Sequence, residues 1–210
     1  MFKDRVDAGK KLAQRLAAEY KGKDAVVLAI PRGGVVIGNE VARALNLPLD
    51  IIIPRKIGAP GNPELAIGAI VREKAIINED LVRELRIPDS YIEAEEKKQL
   101  SEIERRRKLY LGDRKPIPLE GKIAIIVDDG LATGYTALAA IAAVRKQNPK
   151  KIVLAVPVGP LDTCERLAKV VDEIICLEVH ELFFAVGQFY ESFEQTTDSE
   201  VIDILSYYRQ

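Results

Sequence analysis

The chain has little net charge, few cysteines, one histidine and no long apolar run. Lysine and arginine number 31 against 32 aspartates and glutamates, a formal charge of −1 over 210 residues. That balance gives no electrostatic support for broad binding to nucleic acid or to an anionic membrane. Cys164 and Cys176 are isolated in the sequence and lack metal-ligand spacing, so a reduced thiol pair of no framework role is expected. The lone His180 has no second ligand or nucleophile spaced with it, and a structural role is the simpler expectation. Every apolar run falls far short of the roughly 20 residues of a membrane span. The first residues carry no apolar signal region, and the expected location is the cytoplasm. Neither a G-x-x-x-x-G-K-[ST] loop nor a well-placed G-x-G-x-x-G is found, which disfavours the nucleotide-binding folds marked by those loops. Internal repeats and low-complexity tracts are also missing.

What the chain does have is concentrated in Ile123 to Ala139, IAIIVDDGLATGYTALA. A β-branched run without polar interruption suits a central parallel strand. Asp128 and Asp129 mark its end. From Gly130 to Thr136 the residues are mostly small or hydroxylated, and an alanine-rich helix follows, so backbone N–H groups can converge on an anion while Thr133 and Thr136 offer hydroxyls. A phosphate cradle beside two carboxylates, able to meet hydroxyl groups or a metal, asks for a phosphorylated sugar.

Around that stretch the pattern alternates. A helix over Arg5 to Tyr20 shows a stripe of Val6, Leu12, Ala13, Leu16 and Ala17. Ala25 to Ile30 reads as a strand followed by Pro31-Arg32-Gly33-Gly34 and a helix from about Val35 to Leu45. Leu49 to Pro54 reads as the next strand, ending in Arg55-Lys56 and a stretch, IGAPGNPE, whose proline and glycine argue against regular structure. Gly68 to Asn78 suggests a hairpin around Arg72 to Lys74, Glu79 to Leu85 a short helix, and Asp89 to Leu111 a long polar helix with a seam of Ile92, Leu100, Ile103 and Tyr110. Glu93 with Lys97, Glu102 with Arg106 and Glu104 with Lys108 are spaced for helical ion pairs. Those interleaved acids make Arg105 to Lys108 a solvated face rather than a nucleic-acid contact. The sparse seam makes the long helix a candidate surface for a homo-oligomer.

After the organising strand come a strand at Lys151 to Val156 with a Pro157-Val158-Gly159-Pro160 end, a helix at Leu161 to Lys169, a strand at Glu173 to Val179, and a closing helix at Ser199 to Tyr208. The expected fold is α/β, a doubly wound and mostly parallel sheet with right-handed crossovers. One domain is expected over residues 1–210, with a flap and helical insertion at about 68–112 and a C-terminal hood at about 180–198. In such sheets ligands gather beyond the carboxyl ends of strands. Phe183, Phe184, Phe189 and Tyr190 in the hood either close the core or stack on a ligand.

The stretch VDDGLATGYTA resembles the signature of type I phosphoribosyltransferases, especially the DDxxATGGT form of adenine phosphoribosyltransferases. With PRGG, RKIGAPGNPE and AVGQFY, most of the chain is similar to a group of bacterial and archaeal phosphoribosyltransferases of unassigned acceptor. The resemblance implies a donor, phosphoribosyl pyrophosphate, and Mg²⁺ as cofactor. It implies that Gly130, Leu131, Ala132, Thr133, Gly134, Tyr135 and Thr136 bind the 5′-phosphate, and that Asp128 and Asp129 take the ribose hydroxyls and help hold the metal. Arg32, Gly33 and Gly34 would approach the pyrophosphate, where Lys56 and Arg55 would neutralise charge. Catalysis would rest on Arg32, Lys56, Asp128 and Asp129, with a lid over Arg72 to Tyr110. Two departures stand out. Ala132 occupies the place where hypoxanthine-type relatives carry a proton-exchanging aspartate, leaving Glu64 and Glu73 as candidate bases, and Tyr135 replaces a glycine, which requires its ring to point outward. Set against the enzyme is a non-catalytic sensor of phosphoribosyl pyrophosphate or nucleotide on the same fold. The sensor would keep the donor site and use the basic helix for RNA or DNA, which salt-dependent nucleic-acid binding would reveal. For the enzyme the expected partners are phosphoribosyl pyrophosphate and a small-molecule acceptor, with no membrane and with nucleic acid disfavoured.

Overall fold

A computed structural model describes residues 1–71 and 74–208, apart from the side chains of residues 63, 64 and 74. Helix α1 (Arg5–Tyr20) opens on Asp4, whose carboxylate accepts from the Asp7 N–H at 2.8 Å, a side-chain cap of the kind that fixes a helix start. Its buried stripe is Ala8, Gly9, Leu12, Ala13, Leu16 and Tyr20. Val6, expected on that stripe, is instead exposed. Strand β1 (Ala25–Ala29) leads into helix α2 (Gly33–Leu45) and strand β2 (Leu49–Ile51). The helix begins two residues before the expected Val35, so Gly33 and Gly34 form its first turn. β2 stops three residues before the expected Pro54.

The next stretch corrects a sequence expectation. Arg55-Lys56 and IGAPGNPE do not form an irregular loop: β3 (Arg55–Ala59) and β4 (Asn62–Val71) are antiparallel partners turning at Pro60-Gly61, with Gly61 at φ +73°. Proline and glycine here serve a tight turn. On the flanking strands Ile57, Ala59 and Ile67 are buried. β5 (Lys74–Ile77) pairs antiparallel with β4 and completes a separate three-stranded sheet, as the expected hairpin requires; Arg72 and Glu73, within the turn expected from the sequence, lie outside the described residues. Helices α3 (Glu79–Glu84) and α4 (Asp89–Leu111) follow. Of the three ion pairs spaced along α4, Glu102 with Arg106 closes at 2.7 Å, and Arg105 joins Glu102 at 2.8 Å.

β6 (Ile123–Val127), α5 (Tyr135–Arg145), β7 (Lys151–Pro160), α6 (Leu161–Ala168) and β8 (Glu173–His180) complete the main sheet, followed by a 3₁₀ turn at Val186–Phe189 and α7 (Asp198–Ser206). The strand expected over Lys151 to Val156 is longer: Pro157 to Pro160, read as its end, belong to β7, which keeps its register with β8 through Pro160 and His180. The main sheet is parallel in the order β2-β1-β6-β7-β8. Alternation along its strands explains the layers. Val27, Ala29, Ile125 and Val127 join the core with α1 and α2, while Val26, Leu28, Ala124 and Ile126 join the core with α5 and α6. A sheet buried on both faces by crossover helices needs such continuous apolar strands. The fold is therefore the expected doubly wound α/β arrangement with a small antiparallel sheet beside it.

Strand order reverses between β1 and β6. From β1 the chain crosses outward to β2, whereas from β6 it runs the other way to β7 and β8, leaving a crevice beyond the carboxyl ends of the two central strands. No helix among the described residues is long and apolar enough to cross a membrane.

Candidate functional site

Two of the sequence features meet at that crevice. Ala29 of β1 pairs with Val127 of β6, and the Ile30 N–H donates to the Val127 carbonyl at 2.9 Å. The chain then continues as Pro31-Arg32-Gly33-Gly34 on one side and Asp128-Asp129 on the other. Both glycines are required by closeness. A methyl at Gly33 would overlap the Asp129 carboxylate, and one at Gly34 would come within 2.9 Å of the Val127 carbonyl and 3.0 Å of Asp128 Cα. The Pro31-Arg32 peptide is cis. Arg32 caps α2 without a side-chain hydrogen bond, and its guanidinium reaches to 3.6 Å from the Asp198 carboxylate at the start of α7.

The acids are held in different ways. Asp128 Oδ1 accepts from the Asp129 N–H at 2.8 Å. Enclosure by protein, together with the neighbouring Asp129 charge, pushes the Asp128 carboxyl well above the usual carboxylate range. Asp129 Oδ2 accepts from Arg5 Nε at 2.8 Å, and its main-chain carbonyl accepts from the buried Tyr190 hydroxyl at 2.6 Å. Arg5 is fixed in turn, with Nη1 donating to the Glu194 carbonyl at 2.6 Å and the guanidinium 3.9 Å above the Phe193 ring. Sequence reasoning singled out neither Arg5 nor Phe193, and it noticed Tyr190 only for its ring. Their signal lies in the tail pairing with the N-terminus, where Phe2 bridges Tyr190 and its N–H donates to the Phe189 carbonyl at 2.8 Å. That contact brings α1 to the crevice, and it is invisible to local spacing.

The loop from Gly130 to Thr136 connects β6 to α5. Leu131 is buried and its N–H donates to the Val158 carbonyl at 2.8 Å. Among the described residues, the N–H groups of Ala132, Thr133, Gly134, Tyr135 and Thr136 donate to no other protein group. Gly134 takes φ +74° and caps α5 without a side chain, and a methyl there would lie 2.6 Å from Thr163 Cγ2. Thr133 and Thr136 are exposed. Tyr135 points outward as its position requires: it is 52% exposed, with the Arg166 guanidinium 5.4 Å above its ring. Helices α2 and α5 start without a side-chain cap, as do α4 and α6, which begin after prolines, whereas the first turns of α1, α3 and α7 are capped by Asp4, Asn78 and Thr197. Uncapped amide groups at a helix start attract anions, helped by the helix dipole.

The remaining candidates stand farther along the chain. Arg55 and Lys56 open β3 rather than closing a parallel strand, and β3 and β4 lie against α5. Arg55 Nε donates to Gln99 Oε1 at 2.8 Å, and Gln99 Nε2 donates to Glu95 at 2.6 Å, so Arg55 is engaged by α4. Lys56 is exposed on the strand. Glu73 and the Glu64 side chain lie outside the described residues. His180 stacks on Phe189 at 4.3 Å between ring centroids, in keeping with a structural role, and Phe189 and Tyr190 are buried while Phe184 stays exposed. The cysteines, isolated in sequence, are neighbours in space, for the Cys164 and Cys176 thiols interact across α6 and β8.

Among the described residues no group of three or more His, Cys, Asp or Glu is placed to hold a metal. The pair at the crevice suits a different use. The Asp128 and Asp129 carboxyls interact with each other as well as with their main-chain and Arg5 partners, two acids side by side that a cation would relieve, and magnesium is commonly held by one or two carboxylates completed by water and substrate phosphates.

With that geometry in place, the likenesses to known proteins are informative. Residues 2–193 match the family described as Phosphoribosyl transferase domain. The Mycobacterium tuberculosis proteins named "Putative phosphoribosyl transferase MT0597" (strain CDC 1551 / Oshkosh) and "Putative phosphoribosyl transferase Rv0571c" (strain ATCC 25618 / H37Rv) are each 50% identical over 206 residues, 98% of this chain and 46% of theirs. The chain thus spans about half the length of the curated relatives it matches. The crystal structure of TT1426 from Thermus thermophilus superposes with a TM-score of 0.87 at 39% identity, covering 99% of this chain and 98% of that one. Purine phosphoribosyltransferase from Pyrococcus horikoshii Ot3 shares the fold at a TM-score of 0.50 and 22% identity, over 92% and 93% of the two chains. The extent of the family match and the identity to these relatives lead to one conclusion: the chain belongs to the phosphoribosyl transferase family.

Proposed function

We propose that this protein transfers ribose 5-phosphate from phosphoribosyl pyrophosphate to a nitrogen of a small acceptor, releasing pyrophosphate, with Mg²⁺ as cofactor. The observation that carries the reading is the run of unpartnered amides from Ala132 to Thr136, which follows directly on Asp128 and Asp129, the acids that lie against the Gly33-Gly34 turn at the switch crevice. A phosphorylated pentose has an anion at one end and vicinal hydroxyls in the middle, and these groups meet both needs.

In this proposal the loop amides, with the Thr133 and Thr136 hydroxyls, hold the 5′-phosphate at the positive end of α5. The Asp128 and Asp129 carboxyl groups bond the ribose 2′ and 3′ hydroxyls. Arg32, Gly33 and Gly34 approach the pyrophosphate, and Lys56 and Arg55 add positive charge there. Asp128 and Asp129 would also hold Mg²⁺, which when bound neutralises charge gathering on the departing pyrophosphate. Bond breaking at the anomeric carbon then proceeds with oxocarbenium character. The chain's task is to fix the donor's two ends and place the acceptor nitrogen, so that orientation and preset charge lower the barrier. Water has to be kept from the reacting carbon, and the insertion carrying α3 and α4 is the element assigned to cover it.

The test is calorimetric binding of phosphoribosyl pyrophosphate with Mg²⁺, followed by pyrophosphate release in the presence of purines, pyrimidines and small amides. Binding that collapses in the Asp128→Asn, Asp129→Asn double variant, with acceptor-dependent release above a water-only control, is the expected result. Donor affinity unchanged by the double substitution would remove the ribose assignment, and binding without release for any acceptor would turn the reading toward a sensor.

A further inference from the structure

Among the described residues, the hydrogen bonds that helix α6 makes to the phosphate loop all end on loop carbonyls. The buried Thr163 hydroxyl donates to the Ala132 carbonyl at 3.1 Å, and Arg166 Nη2 donates to the Thr133 carbonyl. Thr163 and Arg166 are separated by one turn, so both face the loop from one side of α6. The same two side chains bound the space at Gly134, where an added methyl would lie 2.6 Å from Thr163 Cγ2 and 3.2 Å from Arg166 Nη2.

The consequence follows from the planarity of the peptide. In a trans peptide the carbonyl of one residue and the N–H of the next point in opposite directions. When the Ala132 and Thr133 carbonyls are drawn toward α6, the N–H groups of Thr133 and Gly134 must face away from it. Those two N–H groups have no protein partner among the described residues. A loop of small residues has many orientations of similar energy, and each fixed carbonyl removes one way in which an amide can turn from the ligand.

We infer that Thr163 and Arg166 are positioning residues for the donor phosphate, which fix two peptide units of the loop so that their N–H groups converge on the anion. The inference rests on the proposed phosphate role of the loop. Arg166 adds a second effect, since its positive charge on the Thr133 carbonyl polarises that peptide and strengthens the N–H of Gly134 as a donor. Its place over the Tyr135 ring holds the guanidinium at the loop, and a lysine there would not provide a flat cation for the ring.

The experiment compares the full chain with Thr163→Val, Thr163→Ser and Arg166→Met. Ribose 5-phosphate and phosphoribosyl pyrophosphate are titrated with Mg²⁺ by calorimetry, and the Thr133 and Gly134 amides are followed by ¹H–¹⁵N spectra. In the unaltered chain both amide protons should move downfield on adding ribose 5-phosphate. Thr163→Val and Arg166→Met should each weaken binding roughly fivefold to tenfold, the range of one lost hydrogen bond, and should shrink that downfield movement, while Thr163→Ser restores both. Melting temperatures mark folding, and a variant that fails to fold is replaced by Arg166→Gln, read in the same way. Binding and amide shifts equal to those of the unaltered chain would overturn the positioning role alone. No binding of either compound to the unaltered chain would overturn the proposed function instead.

Discussion

Arg5 and Asp129 are separated by 124 residues in sequence, yet Arg5 Nε lies 2.8 Å from Asp129 Oδ2. Little of either side chain meets solvent, 12% for Arg5 and 17% for Asp129, so the pair is shielded far more than a surface ion pair. Arg5 also holds the tail through Glu194 and Phe193. One guanidinium therefore joins the first helix, the end of the central strand and the hood.

Replacing Arg5 should cost stability. Removing one partner of a fully buried pair costs about 3–5 kcal/mol; with partial exposure here, Arg5→Met is expected to cost about 2 kcal/mol. For a chain of this size that corresponds to roughly 4–8 °C in melting temperature. The double variant with Asp129→Asn should be less destabilised than the sum of the two singles, because the second change removes a charge that the first left unpaired. Additive losses in a thermal-denaturation cycle would show that the contact contributes no coupling.

Tyr110 offers a test by pH. Its hydroxyl donates to the Asp198 carboxylate at 2.6 Å. Burial, then that hydrogen bond, pushes its pKa up to about 12 from an ordinary value of 10.0. Between those values the unfolded chain loses the phenol proton while the folded chain keeps it, so stability falls as pH rises through this window. Tyr110→Phe should reduce the slope of stability against pH by about one proton between pH 10 and 12. The partner has the opposite sign. The Tyr110 hydrogen bond, then the nearby Arg32, holds Asp198 below its ordinary 3.8, so its contribution is present above that value and is lost in more acid solution. Urea unfolding across the alkaline window, with equal slopes for the two proteins, would contradict the assignment.

Sequence pattern revealed the centre of this molecule better than its edges. Ile123 to Thr136 announced itself because strand, acids, small-residue loop and helix start are contiguous, and each reads from neighbours a few residues away. PRGG was legible for the same reason. Arg55 to Glu64 misled because Pro60 and Gly61 signal a turn without saying that strands resume on both sides of it. Arg5, Phe193, Thr163, Arg166 and the hydroxyl of Tyr190 escaped notice because each meets the site by a tertiary contact, and a charged or hydroxylated residue on a helix has no periodicity to separate it from a solvated one. The proximity of Cys164 to Cys176 was hidden likewise, since it depends on how α6 packs over β8.

Gly134 and Gly22 form a matched pair for testing the loop. Both have positive φ, +74° and +72°, but a methyl at Gly22 meets nothing within 4 Å whereas one at Gly134 meets Thr163 Cγ2 at 2.6 Å. Alanine at Gly22 should cost only the backbone strain, about 1 kcal/mol. Alanine at Gly134 should cost about 1–3 kcal/mol more because the packed helix has to shift, and donor affinity should fall with it. Denaturant midpoints that rank the two variants equally would mean that α6 yields freely, which would also weaken its part in holding the loop.

The insertion should behave as two pieces rather than one lid. At the far end of α4, Ile103, Tyr110 and Leu111 are buried and Tyr110 is bonded to Asp198, whose carboxylate also lies near Arg32. The first turns of α4 have no buried residue before Gln99, and Tyr91 touches the small sheet through a hydrogen bond to the Gly58 carbonyl at 2.9 Å. Local opening is governed by buried contact, so amides near Ile92 to Lys98 should exchange hydrogen much faster than those near Ile103 to Leu111. If α4 helps to cover the donor, adding phosphoribosyl pyrophosphate with Mg²⁺ should slow exchange in the first group and leave the second unchanged, because the second is docked already. Hydrogen exchange read by mass spectrometry separates the cases. Equal protection along the whole helix, with no response to the donor, would make α4 a fixed buttress and leave the covering of the crevice to other elements.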